Sequence, residues 1–295
     1  MNIQSISIVV PTKGCVNKCK FCVSRMHENP YENSFDEIQI RKRIKFAANN
    51  GVNTMILTGT GEALQNIKFL EKLKIVLDKE HHPFPNVEIQ TTGVLLMNSE
   101  NFMEESGKNI EIYPNIILLK SLGVNTVSLS ISDIFNSDNN WNIIGAPGKQ
   151  RPSIIELCQF IKENGFNLRL SLNMTNTYNN SLPDSILRSC KYLGADQITF
   201  RKLFHENDQS EQTKWVKAFA SREEILPEIQ SYITSNGKAL YRLPFGPMAY
   251  SIMGMSTVID DNCMNKDSID SLKYVILREN GKLYCQWDDE GSLIF

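Results

Sequence analysis

No stretch of the 295-residue sequence approaches the roughly 18 consecutive apolar residues of a membrane-spanning helix. The opening MNIQSISIVVPT also lacks the basic segment that leads into a secretory signal. These absences predict a soluble, cytoplasmic chain with no membrane partner. Net charge is missing as well: 31 basic against 33 acidic side chains leave a formal charge of -2. That removes the general electrostatic drive toward polyanions and argues against a nucleic-acid partner. There is no low-complexity linker, and 41% hydrophobic with 22% charged residues is a globular balance, not a disordered one. A disulfide framework is absent too. Seven cysteines is an odd number, and Cys15, Cys19 and Cys22 crowd together while Cys158, Cys190, Cys263 and Cys285 are scattered. Clustered thiols in a reduced compartment more often hold metal.

What is present is a recurrence of short β-branched runs with helical patterns between them. The runs are Ile6 to Val10, Thr54 to Gly59, Val87 to Thr92, Thr126 to Ser132, Asn167 to Met174 and Gln197 to Leu203. The first helix is bounded by a capping-box pattern over Ser34 to Glu37 and a left-handed stop at Asn50-Gly51. The second carries apolar residues at 67, 70, 73 and 77 on one face, with His81-His82 placed to cap its last carbonyls. A weak repeat recurs at Gly51, Gly123, Gly165 and Gly194, where a helix ends just before a strand. Strand–helix alternation with right-handed crossovers predicts an α/β fold, a partial (β/α)6 TIM-like barrel over residues 1–235 with its chemistry at the carboxyl ends of the strands. Residues 236–295 change character. Asn280-Gly281 between two apolar runs is a hairpin signal, so this part is read as a β-rich C-terminal extension packed on the barrel.

Directly after the first strand, Cys15, Cys19 and Cys22 stand in CxxxCxxC spacing. Three thiolates on so tight a loop can wrap a 4Fe-4S cluster and leave one iron without a protein ligand, an open position for a substrate. A zinc site completed by a distant side chain is the alternative, and it would make the chain a structural or regulatory module. No second cysteine pair of the usual zinc spacing exists.

With this motif on the page, the sequence resembles the radical S-adenosylmethionine (SAM) superfamily over roughly residues 6–205. The resemblance implies that Cys15, Cys19 and Cys22 ligate the cluster and that Phe21 lies beside the adenine of SAM. Thr58-Gly59-Thr60-Gly61-Glu62 is similar to the family's Gly-Gly-Glu segment, although Ala63 replaces the usual proline. Ser130, Ser132, Arg169, Asn173 and Arg201 occupy places similar to those contacting the ribose and carboxylate, and this stretch is reminiscent of the molybdenum-cofactor cyclase and viperin subgroup. Chemistry agrees with these residue types, since SAM calls for glycines at close approach, a carboxylate for its ammonium and a guanidinium for its carboxylate. Glu62 is the expected carboxylate. Read without the resemblance, Ser130 and Ser132 are inward polar residues of a strand, and Arg169 is a solvated strand end. Cys158 and Cys190 fall on helical faces and read as small core residues.

The implied activity is reductive cleavage of SAM to a 5'-deoxyadenosyl radical that abstracts hydrogen from a small-molecule or nucleotide-like substrate. Modification of a ribosomally made peptide, recognised along the C-terminal strands, is the alternative. An electron-donor protein such as a flavodoxin or ferredoxin is the implied partner, with Lys18 and Lys20 placed to meet it. Cys263 and Cys285 in the extension are candidate catalytic thiols that return a hydrogen atom.

Overall fold

A computed structural model of the chain describes residues 2–25, 35–103, 109–149, 151–243, 247–260, 271–287 and 289–294. The chain begins with β1 (Asn2–Val10), α1 (Glu37–Asn49), β2 (Thr54–Gly59), α2 (Ile67–Lys79) and β3 (Asn86–Thr91). A two-stranded antiparallel sheet of β4 (Glu100–Met103) and β5 (Asn109–Ile112) precedes α3 (Pro114–Ser121) and β6 (Thr126–Ile131). Next come α4 (Ser137–Ile144), α5 (Ile154–Glu163), β7 (Asn167–Asn173), α6 (Pro183–Tyr192) and β8 (Gln197–Arg201). The remainder holds α7 (Glu211–Phe219), α8 (Ile225–Asn236), β9 (Lys238–Arg242), β10 (Met248–Ile252), β11 (Met255–Asp260), β12 (Ser271–Leu277) and β13 (Leu283–Tyr284).

The local signals explain most boundaries. Asp36, not Ser34, caps α1, its carboxylate accepting from the Gln39 amide at 3.0 Å; Ser34 lies outside the described residues. Gly51, Gly123, Gly165 and Gly194 all take positive φ, between 78° and 91°, which a glycine reaches without Cβ strain. Helix α2 buries Phe69, Leu70, Leu73, Val76 and Leu77 against the sheet. His82 does not cap carbonyls as expected; its ring meets the Asp78 carboxylate at 3.0 Å.

One large sheet runs β13-β12-β1-β2-β3-β6-β7-β8-β11-β10-β9, and it does not close. From β12 to β11 every pairing is parallel, so the C-terminal residues contribute a parallel strand at each side of the six expected from the alternating pattern. The β12–β13 hairpin turns at Asn280-Gly281, with Gly281 at φ 73°. The protein is therefore an α/β chain whose open parallel sheet is a partial TIM-like barrel.

The alternation along the strands separates two environments. Ile6, Ile8, Met55, Leu57, Ile89, Leu129, Leu170 and Phe200 point outward beneath the helices and are at most 1% exposed. Each such side chain contributes about 1.5–3 kcal/mol on burial. Many inward positions are polar: Ser7, Thr58, Glu88, Gln90, Thr199 and Arg201 line a cavity of about 1300 Å³. A closed barrel is ordinarily packed with Val, Ile and Leu. This lumen is instead a chamber of mixed lining, with Ile3, Ile56 and Ile198 beside the polar groups.

Candidate cofactor site

The loop after β1 carries the three cysteines to the carboxyl-terminal mouth of the barrel. Cys15 is exposed, and Cys19 and Cys22 are half-buried. Four separate elements hold this loop. The Val16 amide donates to Gln65 Oε1 at 2.7 Å, the Lys18 amide to the Ile144 carbonyl at 3.0 Å, and Asn17 Nδ2 to Thr92 Oγ1 at 2.9 Å. From α7, Gln212 Nε2 donates to the Phe21 carbonyl at 3.1 Å. Among the described residues no three His, Cys, Asp or Glu side chains converge on a single-ion site. The three cysteines lie within eight residues of this loop.

Against this loop lies the second one, Gly59-Thr60-Gly61-Glu62. A Cβ at Gly59 would fall 2.8 Å from the Val10 carbonyl, and one at Gly61 would collide with Thr12 Oγ1 and stand 2.6 Å from the Gly14 carbonyl. Only glycine lets the two loops approach this closely. Thr12 Oγ1, at the seam, is buried without a partner among the described residues. Asn66 pins the far end, accepting from the Phe69 amide and donating to the Pro11 carbonyl at 2.6 Å.

Glu62 follows on the same loop and is tied to β3. Its side chain turns inward, with only 4% of the residue exposed. Thr91 Oγ1 donates to Oε1 at 2.6 Å, while the Thr92 amide and hydroxyl donate to Oε2 at 3.0 and 2.9 Å. Both oxygens are thus committed to β3, and through Thr92 the carboxylate reaches Asn17 on the cysteine loop. Burial outweighs these donors and pushes the Glu62 carboxyl above its ordinary value. The residue braces the site by joining the loop after β2 to the end of β3. Sequence reasoning missed Asn17, Thr91, Thr92 and Gln65, whose only signal is a polar cluster at the ends of the first three strands.

The other expected contacts divide into two groups. Ser130, Ser132 and Asn173 come together at the carboxyl ends of β6 and β7, Asn173 Nδ2 donating to the two hydroxyls at 3.2 and 3.3 Å. Ser132 is fully buried, so within this trio Ser130 is the half-buried member. Arg201, in register with Asn173, lines the cavity with Nε unpartnered among the described residues. Gly59 and Thr60 line the same cavity. Phe21 is half-buried against α7, its ring centroid 5.8 Å from that of Trp215.

Arg169 lines the same cavity at a lower level. It is the third residue of β7 and stands four residues before Asn173, about 13 Å toward the amino end of the strands. There it pairs with the buried Glu88 carboxylate and donates from Nε to Gln197 Oε1 at 2.7 Å. These two contacts tie β7 to β3 and β8 on the inner face of the sheet. Cys285 follows β13 and is half-buried, its amide donating to the Ser292 carbonyl at 3.0 Å, and Trp287, two residues on, lines the cavity. Cys263 lies outside the described residues. Cys158 and Cys190 are core residues, and burial pushes the Cys158 thiol up to about 12.

Three glycine-compatible close approaches, three thiols and a chamber lined in part by polar groups fit a cluster with a small zwitterionic ligand on its open iron. The family model of the Radical SAM superfamily matches residues 9–188. No curated protein matches the chain in sequence. Among solved structures, Streptococcus suis SuiB bound to S-adenosylmethionine aligns with a TM-score of 0.59 at 14% identity, covering 96% of this chain and 60% of that one. SuiB bound to its precursor peptide SuiA aligns at 0.57 and 15% identity, covering 96% and 59%. The structure of anSMEcpe with AdoMet and the Kp18Cys peptide aligns at 0.59 and 12%, covering 99% and 77%. At these identities the likeness is one of fold. The chain spans about 60% of the length of SuiB. Among the described residues no helix is long and apolar enough to cross a membrane.

Proposed function

The chain belongs to the radical SAM superfamily, whose members use a 4Fe-4S cluster and SAM, and from that premise we propose that it cleaves SAM reductively to act on a small polar molecule held in the barrel. The observation that carries this reading is the juxtaposition of the three-thiol loop and the Gly59–Gly61 loop at one mouth above the cavity. When bound, the cluster supplies the electron that splits the sulfonium bond, giving methionine and the adenosyl radical that takes hydrogen from substrate. The chain's own part is to hold and enclose. Cys15, Cys19 and Cys22 hold the cluster, and the backbone of Gly59-Thr60-Gly61 admits the methionyl group. Ser130, Asn173 and Arg201 face the ribose and carboxylate from the opposite wall. Ser7, Thr58, Gln90 and Thr199 below offer hydrogen-bonding groups to a polar part of the substrate.

Peptide modification is the second reading, supported by one feature of the sheet. Strand β9 is an edge, exposed along its whole length, and its Tyr241 reaches the cavity wall. An extended peptide adding to that edge would lead toward the mouth. SuiB and anSMEcpe have been solved with peptides, which makes this class of substrate the natural comparison. Lys13, Lys18 and Lys20 are exposed on the cysteine loop and suit an acidic flavodoxin or ferredoxin as electron donor in a reducing, cytoplasmic setting.

Incubation of the anaerobically reconstituted protein with SAM and dithionite tests the activity. Formation of 5'-deoxyadenosine and methionine is expected. If a fully iron-loaded protein forms neither, the assignment fails.

A further inference from the structure

Helix α7 carries a ladder of aromatic rings from the cysteine loop to the outer surface. Its Trp215 is half-buried, with a ring centroid 5.8 Å from that of Phe21, the residue before Cys22. One turn further, Phe219 stacks on Trp215 at 5.0 Å and an interplanar angle of 24°, and it is 44% exposed. The inner end of the ladder is fastened. Buried Gln212 donates from Nε2 to the Phe21 carbonyl at 3.1 Å and to the Phe204 carbonyl at 2.8 Å, so α7 and the loop hold one another in place. A single exposed phenylalanine is ordinary on a protein surface. One that ends a stack leading to the cysteine loop, and that is bordered by cations, is a footing for a partner.

The cations are Lys20, next to Phe21, and Lys214 and Lys217, three residues apart on one side of α7; all are exposed. Lys214 meets Glu211 at 3.4 Å in a solvent-screened pair, and Lys20 and Lys217 make no ion pair among the described residues. An apolar ring inside a basic border suits an acidic partner whose contact face has a flat apolar centre. A flavin, whose ring edge its carrier leaves exposed, is such a centre. From this arrangement we propose that the α7 face, with Phe219 at its middle and Lys20, Lys214 and Lys217 around it, is where an acidic flavodoxin docks to reduce the cluster. In that step the flavodoxin loses one electron and the cluster gains it, with no covalent bond made or broken. A donor seated on Phe219 is joined to the cysteine loop by packed rings. The proposal rests on the proposed function and adds to it the surface through which the electron enters.

Two measurements on the cluster-loaded protein test the surface: calorimetric titration with a purified flavodoxin, and 5'-deoxyadenosine formation driven by that flavodoxin or by dithionite. Lys217→Glu is expected to weaken flavodoxin binding about tenfold at low ionic strength, with the difference shrinking as salt is added. Phe219→Ser is expected to weaken it by about the same factor at every salt concentration. Dithionite is small and needs no footing, so with it both variants cleave SAM at the wild-type rate. Wild-type affinity for flavodoxin in either variant overturns the proposal. A matching loss of dithionite-driven cleavage also overturns it, because the substitutions would then have disturbed the cluster loop. So does a wild type that cleaves SAM with dithionite but neither binds flavodoxin nor accepts its electron. Failure of the wild type to cleave SAM with dithionite would instead refute the proposed function.

Discussion

Cys19→Ala is expected to purify without the 4Fe-4S cluster, its iron and acid-labile sulfide falling to background after anaerobic reconstitution. Each of Cys15, Cys19 and Cys22 supplies one thiolate from a single loop, and Cys158 on α5 and Cys190 on α6 are buried in the core and cannot substitute. Losing one ligand exposes a second iron, which makes the cube labile. The loop keeps other supports in the variant, because Val16, Asn17, Lys18 and Phe21 are held from four other elements. The variant therefore folds, and the loss is one of metal alone. Cys158→Ala is the matching control. It keeps a full complement of iron and costs on the order of 1 kcal/mol of stability through the small cavity it leaves. A full iron and sulfide complement in Cys19→Ala would remove the residue from the cluster.

Glu62→Ala is expected to destabilise the protein by about 2–4 kcal/mol and to leave cluster assembly inefficient. The substitution removes the acceptor for the Thr91 hydroxyl and for both donors of Thr92, one of them a backbone amide with no freedom to turn elsewhere. It also cuts the path from β3 through Thr92 to Asn17, so the cysteine loop loses one of its supports. Glu62→Gln keeps an acceptor for Thr92 and is expected to retain most of the stability. The pair also carries a pH signature. Burial raises the folded carboxyl above its ordinary 4.5, so the folded chain holds this proton more tightly than the unfolded chain. The stability due to that difference is fully present below the unfolded value and is lost as pH rises through the folded one. Wild type should therefore lose stability relative to Glu62→Gln as pH rises from about 4.5. Denaturant unfolding of both proteins across this range reads the effect, and a constant gap between them would show that Glu62 is not buried as described.

The strands were legible because their two faces differ. Thr126 to Ile131 and Asn167 to Asn173 alternate polar with apolar residues, and the pattern marks both the strand and its inward face. The four helix-ending glycines were equally plain, since each needs the positive φ it adopts. Depth was harder. Arg169 and Arg201 share the inward parity, and only their distance from the strand end separates a lower level of the cavity from the mouth. Glu62 follows the expected motif in sequence, yet its rotation toward Thr91 and Thr92 depends on residues some thirty positions away. The pairing of β12 with β1 leaves no local trace at all, because parallel partners distant in sequence share no turn. For that reason Glu279 was invisible as a neighbour of Thr60, 219 residues earlier.

Electron paramagnetic resonance of the dithionite-reduced protein, recorded before and after addition of SAM, bears most directly on the three-thiol site. The wild type is predicted to show the signal of a reduced 4Fe-4S cluster whose g values shift when SAM is added, as an iron with an open position requires. A reduced-cluster signal that SAM leaves unaltered, or a protein that binds stoichiometric zinc and gives no iron–sulfur signal, would contradict it.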